Sequence, residues 1–148
     1  MPKLTDIRDK FKVAVQQHAN LRTFHSGLVS DINRLTGKEY PLLVLAPPES
    51  HNIDTYKTNT NGEYEITFWV IMEQRLNDDT DDIWQKLEWM IDYGEDVIDT
   101  VINKDVRPAY YDVSSRVVIT PIYRGSIPGT VEVRFSFNLV VKDCRNLS

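Results

Sequence analysis

The part of this sequence that looks most capable of chemistry is an acidic run. Residues 77–82 read NDDTDD, which places four carboxylates within five positions. A calcium-binding loop would also need a glycine near its middle and a glutamate at its end, and the run has neither. An apolar repeat with helical spacing starts directly after it. We therefore predict that Asp79 or Thr80 caps a helix and that the other acids lie in its first turn, where the helix dipole favours negative charge.

The other side chains with reactive groups are scattered. His18, His25 and His51 lie far apart in the sequence, and Cys144 is the single cysteine. The sequence also lacks a phosphate-binding glycine loop, the Gly-x-Ser-x-Gly turn of hydrolases and the His-Glu-x-x-His pair of zinc proteases. We therefore predict no catalytic residues, no metal ligands and no cofactor, and we expect that the protein is not an enzyme.

The composition favours one globular domain that covers residues 1–148. Apolar residues make up 41% and charged residues 26%, which is ordinary for a folded domain of this size. A formal net charge of -5 argues against binding to duplex nucleic acid, which usually requires a basic face. The single cysteine fits a reducing compartment, and the first residues lack the apolar core of a signal peptide. No apolar run is long enough to span a membrane, so we expect a soluble protein made in the cytoplasm.

Two segments have the apolar spacing of amphipathic helices. The first covers about residues 3–19 and the second about residues 80–103. Gly94, near the middle of the second helix, is expected to permit a close approach to a sheet or a slight bend. The apolar stripes are Leu4, Ile7, Phe11 and Ala14 in the first helix, and Ile83, Leu87, Ile91, Gly94, Ile98 and Ile102, widened by Trp84, Met90, Val97 and Val101, in the second.

Strands are predicted where apolar residues alternate or form short runs. The last of them, near residues 131–142, has the best period-two signal and is predicted to be central in the sheet. The polar segment at about 47–63 is predicted to be a long loop or a hairpin extension with a turn at Asn61-Gly62. The other predicted strands are 40–46, 64–73, 117–124 and a short one within 21–35, and residues 104–115 form a connector.

These elements predict an α+β fold. In this two-layer sandwich, a mainly antiparallel sheet of about four to five strands packs against both helices. The last strand is expected to contribute buried residues to the core between the sheet and the long helix. The expected contacts join Val133, Phe135, Phe137 and Leu139 of that strand to Leu87, Ile91 and Ile98 of the long helix.

Several local patterns resemble structural proteins of tailed bacteriophages. Residues 24–27 read FHSG, 31–33 read DIN and 40–42 read YPL, and similar motifs follow the same order in small structural proteins of Bacteroidetes phages. The strand 64–73, the acidic cap, the long helix and two closing strands are similar to tail-terminator, tail-completion and head–tail connector proteins. The resemblance spans about residues 20 to 144.

The resemblance implies a virion protein of the neck or upper tail, made in the host cytoplasm. Copies would form a ring, such as a hexamer or dodecamer, that contacts neck, portal or tail-tube proteins and lets DNA pass without specific binding. Membranes would play no part. Aromatic and arginine side chains are enriched at interface hot spots. The candidates for subunit contacts are Trp69, Ile71, Arg107, Tyr110, Tyr111, His51 and Tyr56.

Two other classes of function stay open. A protein-binding adaptor domain outside any virus would share this fold, and its mass in solution would distinguish it, since an adaptor need not form a ring. A small-molecule enzyme without a local motif is disfavoured, and a deep pocket lined by perturbed carboxylates would revive it. Tyr110 and Tyr111 also have an alternative role, because connector aromatics often fold back onto the core.

Overall fold

One mixed sheet and two α-helices organise the chain. The computed structural model describes residues 4–35, 37–48, 51–54, 61–102, 109–113, 116–123 and 128–143. The helices are α1 (Leu4–Gln17) and α2 (Thr80–Val101), and a 3-10 helix covers Val29–Arg34. The strands are β1 (Thr23–Ser26), β2 (Leu42–Leu45), β3 (His51–Asp54), β4 (Asn61–Glu73), β5 (Ala109–Val113), β6 (Val118–Ile122) and β7 (Thr130–Asp143).

The long strands β4 and β7 form the centre of the sheet. They pair antiparallel from Asn61↔Lys142 to Glu73↔Thr130, because both alternate apolar and polar side chains over the same length. Strands β2 and β3 share the other edge of β4, and β5 and β6 share the other edge of β7. Strand β1 lies outside β2 and runs parallel to it. The described residues thus form a sheet of seven strands.

The predicted α+β class is confirmed, with both helices and the central last strand in place. The count of four to five strands was too low, because β3 and β5 were missed. Strand β3 pairs antiparallel with the start of β4, which confirms the hairpin alternative for the polar segment, and β5 lies inside the predicted connector. The turn expected at Asn61-Gly62 is wrong, since both residues belong to β4 and Gly62 pairs with Ile53.

The main core lies between the sheet and the two α-helices. Val133, Phe135, Phe137 and Leu139 of β7 are all buried, as predicted. The Phe135 ring stacks on Phe68 of β4 with centroids 4.7 Å apart and an interplanar angle of 10°. Helix α1 joins the same aromatic group through Phe11, whose ring centroid lies 5.8 Å from that of Phe68. The aromatic rings therefore connect both central strands to the N-terminal helix.

A second, smaller core lies on the opposite face of the sheet. The 3-10 helix contributes Ile32, which packs with Leu42, Val44 and Ile71, and all four side chains are fully buried. The loop predicted after β1 thus contains a short helix that covers one corner of the sheet. The rest of that face has no such helix among the described residues.

Gly94 lets α2 approach the sheet closely. A Cβ atom at this position would lie 2.1 Å from Cζ of Phe135, far inside van der Waals contact. The edge of the phenyl ring occupies the space that any larger residue would need. This confirms the expected close approach, whereas the expected place of Trp84 in the apolar stripe is wrong, because its side chain is 66% exposed.

Among the described residues, no helix is long and apolar enough to cross a lipid bilayer.

We expect that Gly94→Ala destabilises the protein by about 1–3 kcal/mol, the usual cost of overpacking a core. The direction is informative, because alanine favours a helix over glycine by about 1 kcal/mol and would stabilise an open position. Denaturant unfolding measures the change. The double variant with Phe135→Leu serves as the control, and it should cost less than the sum of the two single changes. Additive costs would show that the ring does not set the contact.

Candidate interaction surfaces

The acidic run begins α2 as a capping box. The Asp79 carboxylate accepts a hydrogen bond from the backbone N–H of Asp82 at 2.8 Å. The Asp82 carboxylate accepts in return from the backbone N–H of Asp79 at 3.0 Å. These two bonds satisfy N–H groups that a helix start leaves unpaired. The predicted cap at Asp79 is therefore confirmed.

Asp78 has a different role, which the sequence did not predict. Its carboxylate forms an ion pair with Lys86 in the second turn of α2. It also accepts a hydrogen bond from the backbone N–H of Arg75 at 2.8 Å. The Lys86 ammonium also donates to the carbonyl of Glu73 at 2.8 Å. The hydrogen bond from Lys86, followed by the one from Arg75, lowers the pKa of Asp78 below its ordinary value. The pair ties the end of β4 to the first turns of α2.

His18 connects the two helices. Its Nδ1 accepts hydrogen bonds from the backbone N–H groups of Asn20 at 3.1 Å and Leu21 at 3.3 Å. The proton of a neutral ring therefore lies on Nε2, which is 2.9 Å from the Asp96 carboxylate on α2. The ring also meets Tyr93 edge-on, with centroids 5.2 Å apart. These contacts give His18 a structural role at the end of α1.

His25 and Gly27 form a tight corner after β1. The His25 Nε2 atom lies 3.6 Å from the Asp31 carboxylate, which accepts a hydrogen bond from Leu28 N–H at 3.1 Å. Gly27 has a φ of +152°, and a Cβ there would lie 2.9 Å from His25 Nε2. Within the described residues, no three His, Cys, Asp or Glu side chains are grouped so that they could hold a metal ion. The FHSG segment thus shapes the entry to the 3-10 helix.

Two of the predicted contact residues are buried inside the chain. The second face of β4 was expected to present Ile71, but that side chain is fully buried in the small core, so it offers no area to a neighbour. Trp69 is half-buried and packs against the same core. Tyr111 is only 5% exposed because β5 points it towards the helices, and Lys10 lies 4.8 Å above its ring. Folding back onto the core, the alternative for this connector tyrosine, is what the structure shows.

The structure says less about the other predicted contact residues. His51 lies in β3 opposite Tyr64, and Tyr110 lies in β5 opposite Lys142, both by backbone pairing. Tyr56 and Arg107 lie outside the described residues. The subunit contacts proposed for these four residues stay predictions.

A polar strip runs along the part of the second sheet face that the 3-10 helix does not cover. We call this strip the open sheet face. Thr67 and Ser136 meet at its centre, with their hydroxyl oxygens 2.9 Å apart. Around them Arg134 is exposed and Val118 of β6 is 50% exposed. The open sheet face therefore combines an apolar edge with polar groups, a mixture typical of protein–protein contact surfaces.

A pocket of about 380 Å³ lies at the end of the sheet where β4 leads into α2. We call it the end pocket. Tyr40, just before β2, and Trp89 of α2 line it together with Met72. Burial, followed by the nearby charge of Glu73, raises the pKa of Tyr40. Sequence reasoning missed this pocket, although an aromatic residue outside the apolar stripe of an acidic helix, such as Trp89, could have drawn attention to it.

A scan of the sequence against models of known protein families finds no match, and a search of curated proteins also finds none.

We expect that Asp78→Asn lowers stability at neutral pH and that this loss disappears in acid. A lowered pKa in the folded state means that ionised Asp78 stabilises the fold above the unfolded-state pKa, which is about 3.9. That stabilisation is lost as the pH falls through the lower, folded-state pKa. Unfolding of both proteins by urea from neutral to strongly acidic pH measures the difference. Asp81→Asn, an exposed aspartate in the same region, is the control, and an equal effect of both changes would contradict the role of the ion pair.

Proposed function

We propose that this protein is a structural subunit that assembles into a ring at the neck or upper tail of a tailed bacteriophage. The ring would join tail to head and leave a central channel for DNA. The observation that carries the proposal is the open sheet face, together with the resemblance of the motifs at 24–27, 31–33 and 40–42 to phage structural proteins. A ring needs each subunit to present two different surfaces, one to each neighbour.

The sheet supplies one such surface. Its first face is covered by α1 and α2, while on its second face the 3-10 helix packs at one corner and Thr67 and Glu132 are also buried. Val118 and Arg134 remain accessible there, and the hydroxyl pair Thr67–Ser136 keeps the two central strands in register beneath them. An accessible valine beside polar groups provides area to bury without endangering the solubility of the free subunit.

The charge of the chain also fits passage of DNA. A net charge of -5 leaves no general attraction for phosphates, so an acidic ring would guide DNA without gripping it. No catalytic group is required for such a role. The contacts of the His18 ring with Asp96 and with the backbone after α1 agree with a structural function for this residue.

Purified virions of the phage that encodes this chain provide the test. We expect mass spectrometry to find the chain in the particles and cryo-electron microscopy to place it in a rotationally symmetric ring at the neck or upper tail. Contacts between neighbouring copies should include Val118 on the open sheet face. Absence of the chain from purified particles would refute the proposal and favour the adaptor alternative.

A pair of variants makes the test specific to the surface. Val118→Asp should leave the subunit folded, because surface substitutions usually change stability by about 0.5 kcal/mol or less, and should prevent its incorporation into particles. Leu76→Asp is the matched control, since Leu76 is fully exposed in the turn before α2 and not on the open sheet face. Equal incorporation of both variants would exclude the open sheet face from the ring contact.

A further inference from the structure

The end pocket has two aromatic walls. Trp89 of α2 keeps 42% of its surface exposed, and Tyr40, which also lines the pocket, is half-buried. A large aromatic side chain that stays this accessible beside a cavity is a common feature of binding sites. Aromatic faces attract cations through the ring quadrupole, and tryptophan does so most strongly. The walls therefore favour a cationic group over a neutral one.

The charged groups of the end pocket point to the same ligand. Lys86 lines it, but its ammonium is already bound by the Asp78 carboxylate and the Glu73 carbonyl. These two opposite charges cancel each other. The remaining charged groups that line the pocket are two exposed carboxylates, of Glu73 and Asp82, and one exposed guanidinium, of Arg75. The pocket is thus left with an excess of negative charge beside its aromatic walls.

Helix α2 extends this negative field well beyond the pocket. Its exposed side chains include seven carboxylates, and its single basic residue, Lys86, is held by the ion pair just described. We call this surface the acidic face of α2. A field of one sign raises the rate at which a partner of the opposite sign arrives. The carboxylates are Asp81, Asp82, Glu88, Asp92, Glu95, Asp96 and Asp99.

We propose that the end pocket binds an arginine side chain from a basic surface of a second, different protein, and that the acidic face of α2 steers this partner into place. Arginine is favoured over lysine because its planar guanidinium stacks on aromatic rings while it pairs with carboxylates. Nucleic acid does not fit, because its phosphates would meet the carboxylates. The pocket is formed within one chain, so its occupancy does not depend on ring assembly.

A second copy of this chain fits the pocket poorly. The chain is acidic overall, with a formal net charge of -5. Arg34 and Lys38 lie near Asp31 and Glu39 in the sequence, and Arg8 pairs with Asp9 at 3.0 Å. Within the part of the chain that the structure describes, no helix or strand carries as many exposed basic residues as α2 carries exposed acidic ones. A basic surface of another protein is therefore the better match for this charge.

The experiment uses the full chain and a capped peptide of alternating arginine and glycine with three arginines. The indole N–H signals of the uniformly ¹⁵N-labelled protein are followed by NMR at about 0.15 M salt, where the Debye length is about 8 Å and distant charges are screened. The variant Trp89→Phe assigns the Trp89 signal. We expect this signal to shift saturably with the arginine peptide, more weakly with the lysine analogue, and not with the glutamate analogue.

Two substitutions that each remove one negative charge distinguish binding in the end pocket from attraction by the acidic face of α2 as a whole. Glu73→Gln should weaken binding of the arginine peptide about threefold to tenfold, which corresponds to about 0.7–1.4 kcal/mol. Glu95→Gln, on the same acidic face but outside the pocket, should weaken it less than about twofold, the size expected of a screened surface charge. Trp89→Ala lacks the reporter indole, so its binding is followed through the backbone amide signals of the residues that line the pocket. These signals should no longer shift saturably, while circular dichroism and the unfolding midpoint show that the variant is folded.

Three outcomes would overturn the proposal. The first is the absence of a saturable shift at Trp89 with the arginine peptide. The second is an equal loss of affinity in Glu73→Gln and Glu95→Gln, which would mean that the acidic face attracts cations without a pocket. The third is a shift of the Trp89 signal with protein concentration alone, which would make a second copy of the chain the occupant.

Discussion

The contact between the Phe135 ring and Gly94 of α2 determines how the sheet and the helices of this domain pack together. Phe135 lies in the central strand β7, and its ring fills the space where a Cβ of Gly94 would stand. The sheet and α2 therefore approach more closely than two ordinary residues would allow. The same ring stacks on Phe68, and Phe68 meets Phe11, so the position of α2 is transmitted through aromatic contacts to β4 and α1. The geometry of the end pocket depends on this placement, because Trp89 lies little more than one helical turn before Gly94.

Much of this fold could be predicted because the decisive residues alternate strongly. The period-two pattern of β7 and the capping residue Asp79 are local signals, and the structure confirms both. Strands β3 and β5 have no such pattern, since they read HNID and AYYDV. They form strands because the edges of the long central strands offer them hydrogen-bonding partners. A segment that takes its structure from its neighbour leaves little trace in its own sequence.

The surfaces were harder to predict than the core, because they depend on which elements lie over them. Ile71 looked accessible on the mixed face of β4, and nothing in its own segment shows that Ile32 covers it. The end pocket joins Tyr40 to Trp89, which are far apart in the sequence. The ion pair of Asp78 with Lys86 likewise depends on how the chain turns after β4. Spacing along one helix predicts caps and stripes, but it does not predict which distant residue stands opposite.

The arrangement of the seven described strands also bears on how folded copies of the chain avoid aggregating through their sheet edges. The two strands long enough to template an extended sheet, β4 and β7, are enclosed, while every described strand flanking them has only four or five residues. Short edges are poor templates for edge-to-edge aggregation. Pro121 strengthens this effect in β6, because proline has no N–H to offer an incoming strand. The backbone hydrogen-bonding groups of the two longest strands are thus largely paired within the native sheet. Copies of the chain that associate would therefore do so mainly through side chains.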